Sequence, residues 1–231
     1  MKLNRNFTLA VHFVLDRLLP PILRDSRWFM APIFYVLFGE KAKYYLAFKD
    51  ELHHLSDQDI NHYYELLADT FIHRETDLNR ESIDYIRNNI KDESVLDVAS
   101  GRGFMSEILA KQGYKVTGVD IIQPAGTDPS SNPVYVTAEI TDLPFADNQF
   151  DTVVCTHTLE HIRDLPKALS EVRRVCKKKL IVVVPCQREY RYTFDLHIHF
   201  FPYEYNLRYF VKGHGTIFKA GGDFIYTEDF A

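Results

Sequence analysis

The hydrophobic positions of this 231-residue chain fall into two regimes. From residue 94 onward, short apolar runs alternate with amphipathic stretches. The runs lie at Ser94–Asp97, Tyr114–Asp120, Pro133–Thr137, the stretch ending at Cys155, and Lys179–Val184. Apolar strands separated by stretches of helical period predict βαβ units around a parallel sheet. Asp164 predicts the start of a helix through about Val175, and a further helix is expected over Pro202–Lys212. Two short strands near Gly215–Lys219 and Phe224–Thr227 complete the sheet. The expected fold is α/β: a Rossmann-like, seven-stranded, mostly parallel sheet with helices on both faces and one antiparallel strand. Upstream, Ser56-Asp-Gln-Asp59 reads as a capped helix start leading into Tyr63, Tyr64, Leu66, Leu67 and Phe71. A second helix is expected from about Asn79 to Asn89.

The first 50 residues differ. Phe7–Leu19 has helical amphipathicity and stops at Pro20-Pro21, and Trp28–Phe38 is almost wholly apolar with Pro32 inside it. The chain therefore divides into a helical N-terminal extension, 1–50, and a main domain, 51–231. Within that domain, residues 51–92 form lid helices and 93–231 the sheet core.

The chemistry concentrates where two strands end. Val95-Leu-Asp-Val-Ala-Ser-Gly-Arg-Gly-Phe104 carries an apolar run into Asp97, then a small-residue loop, then an amphipathic segment. Tyr114–Asp120 repeats the pattern of an apolar run ending in an acid. Gly101 and Gly103 allow backbone to approach a ligand closely, and an acid at the second strand tip can grip ribose hydroxyls. Dinucleotides and S-adenosylmethionine both use this layout. Asp97 separates them, because a pyrophosphate needs donors at that position, whereas a carboxylate suits an ammonium and a sulfonium.

Further along come Glu139, Leu143-Pro-Phe145, Phe150-Asp151 before the fourth strand, and Leu159-Glu-His161 after it. In this order the chain resembles the class I S-adenosylmethionine-dependent methyltransferases, especially the branch of quinone-biosynthesis methyltransferases, over roughly residues 80–185. The resemblance implies that Asp97, Ala99, Ser100, Gly101 and Gly103 surround the methionine end of S-adenosyl-L-methionine. It implies that Asp120 holds the ribose, Ile121 lies against the adenine, and Glu139 meets the adenine amino group. Ile140 would offer a backbone N–H, and Cys155 and Thr156 would close the site beneath the methyl group. Two positions depart from the family: Ala99 stands where its first loop glycine is usual, and Glu139 where an Asp is usual.

Methyl transfer needs an aligned acceptor and, for a poor nucleophile, a base. His157 after the fourth strand, and His197 and His199 after the fifth, are the catalytic candidates. His161 is expected to bond backbone at a helix start. Tyr63, Tyr64 and Arg74, with Arg188, Tyr190, Arg191 and Tyr192, are candidates for acceptor contacts. His197 and His199 would share a face of an extended segment, but no third ligand accompanies them and no metal is expected.

Charge narrows the partners. Residues 1–50 hold eight Lys/Arg against four Asp/Glu, and the remainder holds 19 against 28. So acidic a body is a poor surface for a polyanion, and nucleic acid is not an expected substrate. The chain also lacks the Asn/Asp-Pro-Pro-aromatic clamp of base-amino methyltransferases. Three cysteines without a CxxC pair point to a reducing, cytoplasmic setting. Eleven apolar residues cannot span a bilayer. Two readings of residues 1–40 stand: a helical cap or dimer interface, and an interfacial anchor giving peripheral membrane contact. The expected activity is methyl transfer from S-adenosyl-L-methionine to a small-molecule or lipid-linked acceptor, at oxygen. The alternatives are a non-catalytic module that keeps the fold, suggested by Ala99, and a nicotinamide-dependent oxidoreductase.

Overall fold

A computed structural model describes Val14 and residues 18–67, 76–124, 126–128 and 130–230. Most of the expected Phe7–Leu19 helix, together with Phe71 and Arg74, lies outside the described residues. The chain forms two compact units, one of residues 1–74 and 187–198, the other of residues 75–186 and 199–231.

In the first unit a single helical turn, Pro21–Arg24, precedes α1 (Arg27–Phe38), α2 (Ala42–Glu51) and α3 (Asp57–Leu67). α1 runs through Pro32, although proline removes one helical hydrogen bond and is strongly unfavourable in a helix interior. Packing offsets that loss. Met30 and Phe34 are fully buried in an aromatic core with Tyr45, Leu46, Phe48, Leu67, Tyr190, Tyr192 and Phe194. Phe34 stacks on Phe194 with ring centroids 4.9 Å apart. α1 stops at Gly39, whose φ of +56° suits the residue without a side chain. α3 begins as the sequence predicts: the Ser56 hydroxyl accepts the Asp59 N–H, and the Asp59 carboxylate accepts the Ser56 N–H. The helices after residue 50 share the core of those before it, so this unit extends to residue 74 and takes in 187–198.

The second unit is a seven-stranded sheet. Its strands are β1 (Ser94–Val98), β2 (Lys115–Asp120), β3 (Val134–Thr137), β4 (Phe150–Thr156), β5 (Cys176–Pro185), β6 (Thr216–Ala220) and β7 (Asp223–Asp229). Their order is β3-β2-β1-β4-β5-β7-β6, parallel except for β7, which is antiparallel to both neighbours. Alternate residues of one strand enter opposite cores, as a pleat requires. Leu96, Val153, Leu180 and Val182 face one core, and Val95, Val154, Ile181 and Val183 face the other. Burial on both faces is why these strands read as continuous apolar runs.

Helices α4 (Arg80–Asn88), α5 (Phe104–Lys111), α6 (Leu165–Val175) and α7 (Glu204–Val211) complete this unit. Asn79 caps α4 and Asp164 caps α6, each accepting a backbone N–H of the first turn.

Two motifs that carried the resemblance are structural. Asp151 accepts the Ser94 N–H and hydroxyl, joining the start of β4 to the start of β1, away from the strands' carboxyl ends. Arg174 donates to the Phe145 and Leu143 carbonyls, and Glu171 accepts the Leu143 N–H, clamping the Leu143-Pro-Phe145 turn onto α6.

Candidate functional site

All eleven residues expected to bind the cofactor lie in the sheet unit, at or just past the carboxyl ends of β1, β2, β3 and β4. The β1 loop forms in the conformation the glycines allow: Gly101 and Gly103 have φ of +55° and +79°. Ala99 adopts φ +55° as well, so the alanine reaches the loop geometry despite its Cβ. Ser100 anchors the loop by donating its N–H to the Val119 carbonyl at 3.0 Å. Its hydroxyl is buried without a hydrogen-bond partner.

Asp120 stands at the tip of β2 with one carboxylate oxygen bonded to the β1 loop and the other to the backbone just past β2. Oδ2 accepts the Gly101 N–H at 2.8 Å, and Oδ1 accepts the Ile122 N–H at 3.1 Å. Each oxygen keeps a second lone pair for a hydroxyl. Ile121 is 40% exposed beside it, as a surface for an aromatic base would be. Glu139 is exposed after β3, while Ile140 is buried.

Asp97 lies at the end of β1, enclosed by the loop and α5. It is 1% exposed, and its Oδ2 accepts the Ser106 hydroxyl at 2.6 Å. Burial pushes its carboxyl up to about 6. In this geometry Asp97 fixes the first turn of α5, and hence the loop that α5 follows.

Tyr135, which the sequence reading passed over, completes that arrangement. Asp97, Gly118 and Tyr135 are in register across β1, β2 and β3. The bare Gly118 opens a slot that the tyrosine ring fills. A Cβ on Gly118 would meet the ring at 2.6 Å, and one on Gly103 would meet the Tyr135 hydroxyl at 2.0 Å. The signal was present as a glycine between the β-branched Thr117 and Val119 of β2, the mark of a close approach.

Beyond β4 a second cluster forms. Cys155 is fully buried, and burial pushes its thiol up to about 12, so it is a core residue rather than a nucleophile. Thr156 is half-buried at the strand end. His157 follows with φ +48°, its N–H bonded to the Val183 carbonyl. Its ring lies between two acids, with Nε2 3.3 Å from Asp223 Oδ1 and Nδ1 3.6 Å from Glu160 Oε1. Burial disfavours its charge, but the attraction of Asp223 and Glu160 prevails and raises its pKa to about 9. At neutral pH His157 is therefore an imidazolium. Asp223 is held in turn by Asn79 and Ser82, which donate to its Oδ2 at 2.7 and 2.8 Å.

Glu160 is fully buried, and neither carboxylate oxygen has a hydrogen bond. Burial raises its pKa. Glu160 was visible within Leu159-Glu-His161. Asp223 was not, because 66 positions separate it from His157 and only β7 pairing beside β5 brings it there.

The remaining candidates belong to different units. The segment carrying His197 and His199 is not a strand, so the shared face expected of them does not arise. His199 belongs to the sheet unit, with Nε2 2.9 Å from the Ile162 carbonyl and its N–H on the Glu160 carbonyl. It braces the loop after β4. His197 belongs to the helical unit, where Nδ1 lies 2.7 Å from Gln187 Oε1. Tyr190 and Tyr192 are buried in the helical core, and Arg191 holds Asp50 through two 2.9 Å contacts. Tyr63 donates to Glu51 and Tyr64 to the Leu196 carbonyl, also within that unit.

Part of the chain is similar to known methyltransferases. Residues 96–184 match the family described as "Methyltransferase domain". A demethylmenaquinone methyltransferase of Renibacterium salmoninarum is 37% identical over 95 residues, covering 39% of this chain and 40% of that protein. A ubiquinone biosynthesis O-methyltransferase of Rickettsia bellii is 28% identical over 109 residues, covering 44% of this chain and 45% of that protein. The chain thus spans less than half the length of these curated relatives. Among solved structures, magnesium protoporphyrin IX methyltransferase from Synechocystis, crystallised with bound SAM, shares the fold. It superposes with a TM-score of 0.54 at 19% identity, covering 77% of this chain and 98% of that one.

Proposed function

We propose that this chain, which carries a class I S-adenosylmethionine-dependent methyltransferase domain, transfers a methyl group to the oxygen of a small-molecule acceptor at the carboxyl ends of β1, β2 and β4. The observation that carries this reading is the facing pair of Gly101 and Asp120, a backbone loop and a carboxylate at adjacent strand tips. The residues fit S-adenosylmethionine. Asp120 has lone pairs for two ribose hydroxyls, exposed Ile121 offers an apolar face to adenine, and the Ser100 hydroxyl is buried and unsatisfied. When bound, the cofactor supplies a methyl group on a sulfonium, an excellent leaving group.

The chain's own part is to bind, orient and set charge. Ala99, Ser100, Gly101 and Gly103 shape the loop, Asp97 and Tyr135 hold it, and Glu139 and Ile140 border the adenine end. Thr156 borders the reacting end, and Cys155 packs beneath it. His157, charged at neutral pH, suits a group that holds an acceptor oxygen as its anion better than one that removes its proton. Glu160, 3.6 Å from the ring Nδ1, keeps that charge in place, and its carboxylate, without a hydrogen bond, is the better proton acceptor of the two. The names of the relatives support an acceptor of quinone type, and the name of the Rickettsia bellii relative alone supports transfer to oxygen. Ala99 gives little support to a non-catalytic module, since the loop forms around it.

Calorimetric titration with S-adenosylmethionine and S-adenosylhomocysteine tests the reading. Saturable binding is expected, weakened by about 100-fold in Asp120→Ala through loss of two charge-assisted hydrogen bonds. Absence of binding in folded protein, or undiminished affinity in the variant, would refute it.

A further inference from the structure

We infer that the outer face of α1 docks on an anionic lipid surface. α1 is apolar on both sides. Met30 and Phe34 enter the core at 0% exposure, while Trp28 is 72% exposed, Tyr35 49% and Val36 84%. With exposed Pro32, these outward residues stand at 28, 32, 35 and 36, a single stripe at helical spacing. Ile22, 80% exposed in the preceding turn, adds to the apolar surface of this unit. An interior helix buries such a stripe and a surface helix replaces it with charge, and α1 does neither.

Its twelve residues extend only about 18 Å. Among the described residues no helix is long and apolar enough to cross a membrane, so the face can lie along a bilayer but not span it. Its aromatic content suits the headgroup boundary, where tryptophan and tyrosine keep a polar edge in water.

Charge selects the occupant. Exposed Arg27 opens the helix and exposed Lys43 follows it, in a segment with eight Lys/Arg against four Asp/Glu over residues 1–50. Of the nearby acids, Asp25 accepts the Arg191 N–H and Asp50 pairs with the Arg191 guanidinium. Glu40 lies exposed just past the end of α1. A second copy would set the same cationic segment against itself, because a two-fold interface is self-complementary. An anionic lipid surface matches both the apolar stripe and the cations. The inference stands apart from methyl transfer, and so does its test.

Trp28 is the single tryptophan of the chain, so its fluorescence reports on this face alone. The probes are vesicles of phosphatidylcholine, with and without about one third phosphatidylglycerol. For the full chain we expect the spectrum of exposed indole without lipid. With anionic vesicles we expect a blue shift, quenching by brominated acyl chains, and weakening in high salt. In sedimentation, Trp28→Ser and Val36→Asp should each lower partitioning about tenfold. Both replace exposed side chains, and unchanged circular dichroism will verify folding. An exposed-type spectrum unaffected by any vesicle overturns the inference. So does a spectrum already blue-shifted without lipid and unchanged by it, which means the face is covered by the chain itself or by a second copy. Equal binding to neutral vesicles overturns the assignment to an anionic surface.

Discussion

Substitution of Gly118 by alanine tests the claim that Tyr135 props the cofactor loop. The new methyl would sit 2.6 and 2.7 Å from the Tyr135 ring carbons Cδ1 and Cε1 and 2.9 Å from Ser100 Oγ. Carbon–carbon contacts normally fall near 3.5–4.0 Å, so ring or strand must move by about 1 Å. Overpacking of this kind costs about 1–3 kcal/mol. Gly118 isolates the steric effect better than Gly103, whose φ of +79° would add backbone strain. For a chain of this size, about 2 kcal/mol lowers Tm by about 4–8 °C. The assay is calorimetric unfolding of the wild type, Gly118→Ala, Tyr135→Ala and the double variant. Tyr135→Ala also destabilises, by lost packing, but it removes the ring that the methyl strikes. The double variant should therefore be more stable than the sum of single effects predicts, by about 1–2 kcal/mol. Strict additivity, or a Gly118→Ala protein as stable as the wild type, would refute the packing argument.

Three further outcomes follow from the same geometry. Ala99→Gly relieves a left-handed alanine and should stabilise the protein by about 0.5–1 kcal/mol after the added chain entropy, read from urea midpoints; destabilisation would mean that the Cβ packs usefully. His157 has a folded pKa raised above its unfolded value to about 9. Its contribution is therefore complete below about pH 6.5 and lost as pH rises through about 9, visible as a falling Tm over that range. In Asp223→Asn the ring loses its nearest carboxylate, and NMR titration of His157 should give a lower pKa with that window moved toward neutrality; an unchanged pKa would refute the assignment of the shift to Asp223.

Much of this was legible in the chain itself. The runs at Ser94–Asp97, Tyr114–Asp120 and Lys179–Val184 made the strands legible, because a strand largely buried on both faces is mostly apolar. Asn79, Ser56 and Asp164 determined where helices start, because capping is settled within four residues. Asp120 and the two loop glycines were readable because strand tip and loop follow each other directly. Only the tertiary structure decided the rest. Pro32 disfavours a helix locally, yet burial of Met30 and Phe34 carries the helix through it. The sequence placed Asp97 beside the loop, but only the fold brings Ser106, nine residues away on α5, to its Oδ2. The sequence placed His157 after β4, but only the pairing of β7 beside β5 sets Asp223 3.3 Å from its ring, and that neighbour favours the charged imidazolium. A local pattern fixes what the backbone does over a few residues, but the charge state of a side chain depends on whatever the fold sets within a few ångströms of it.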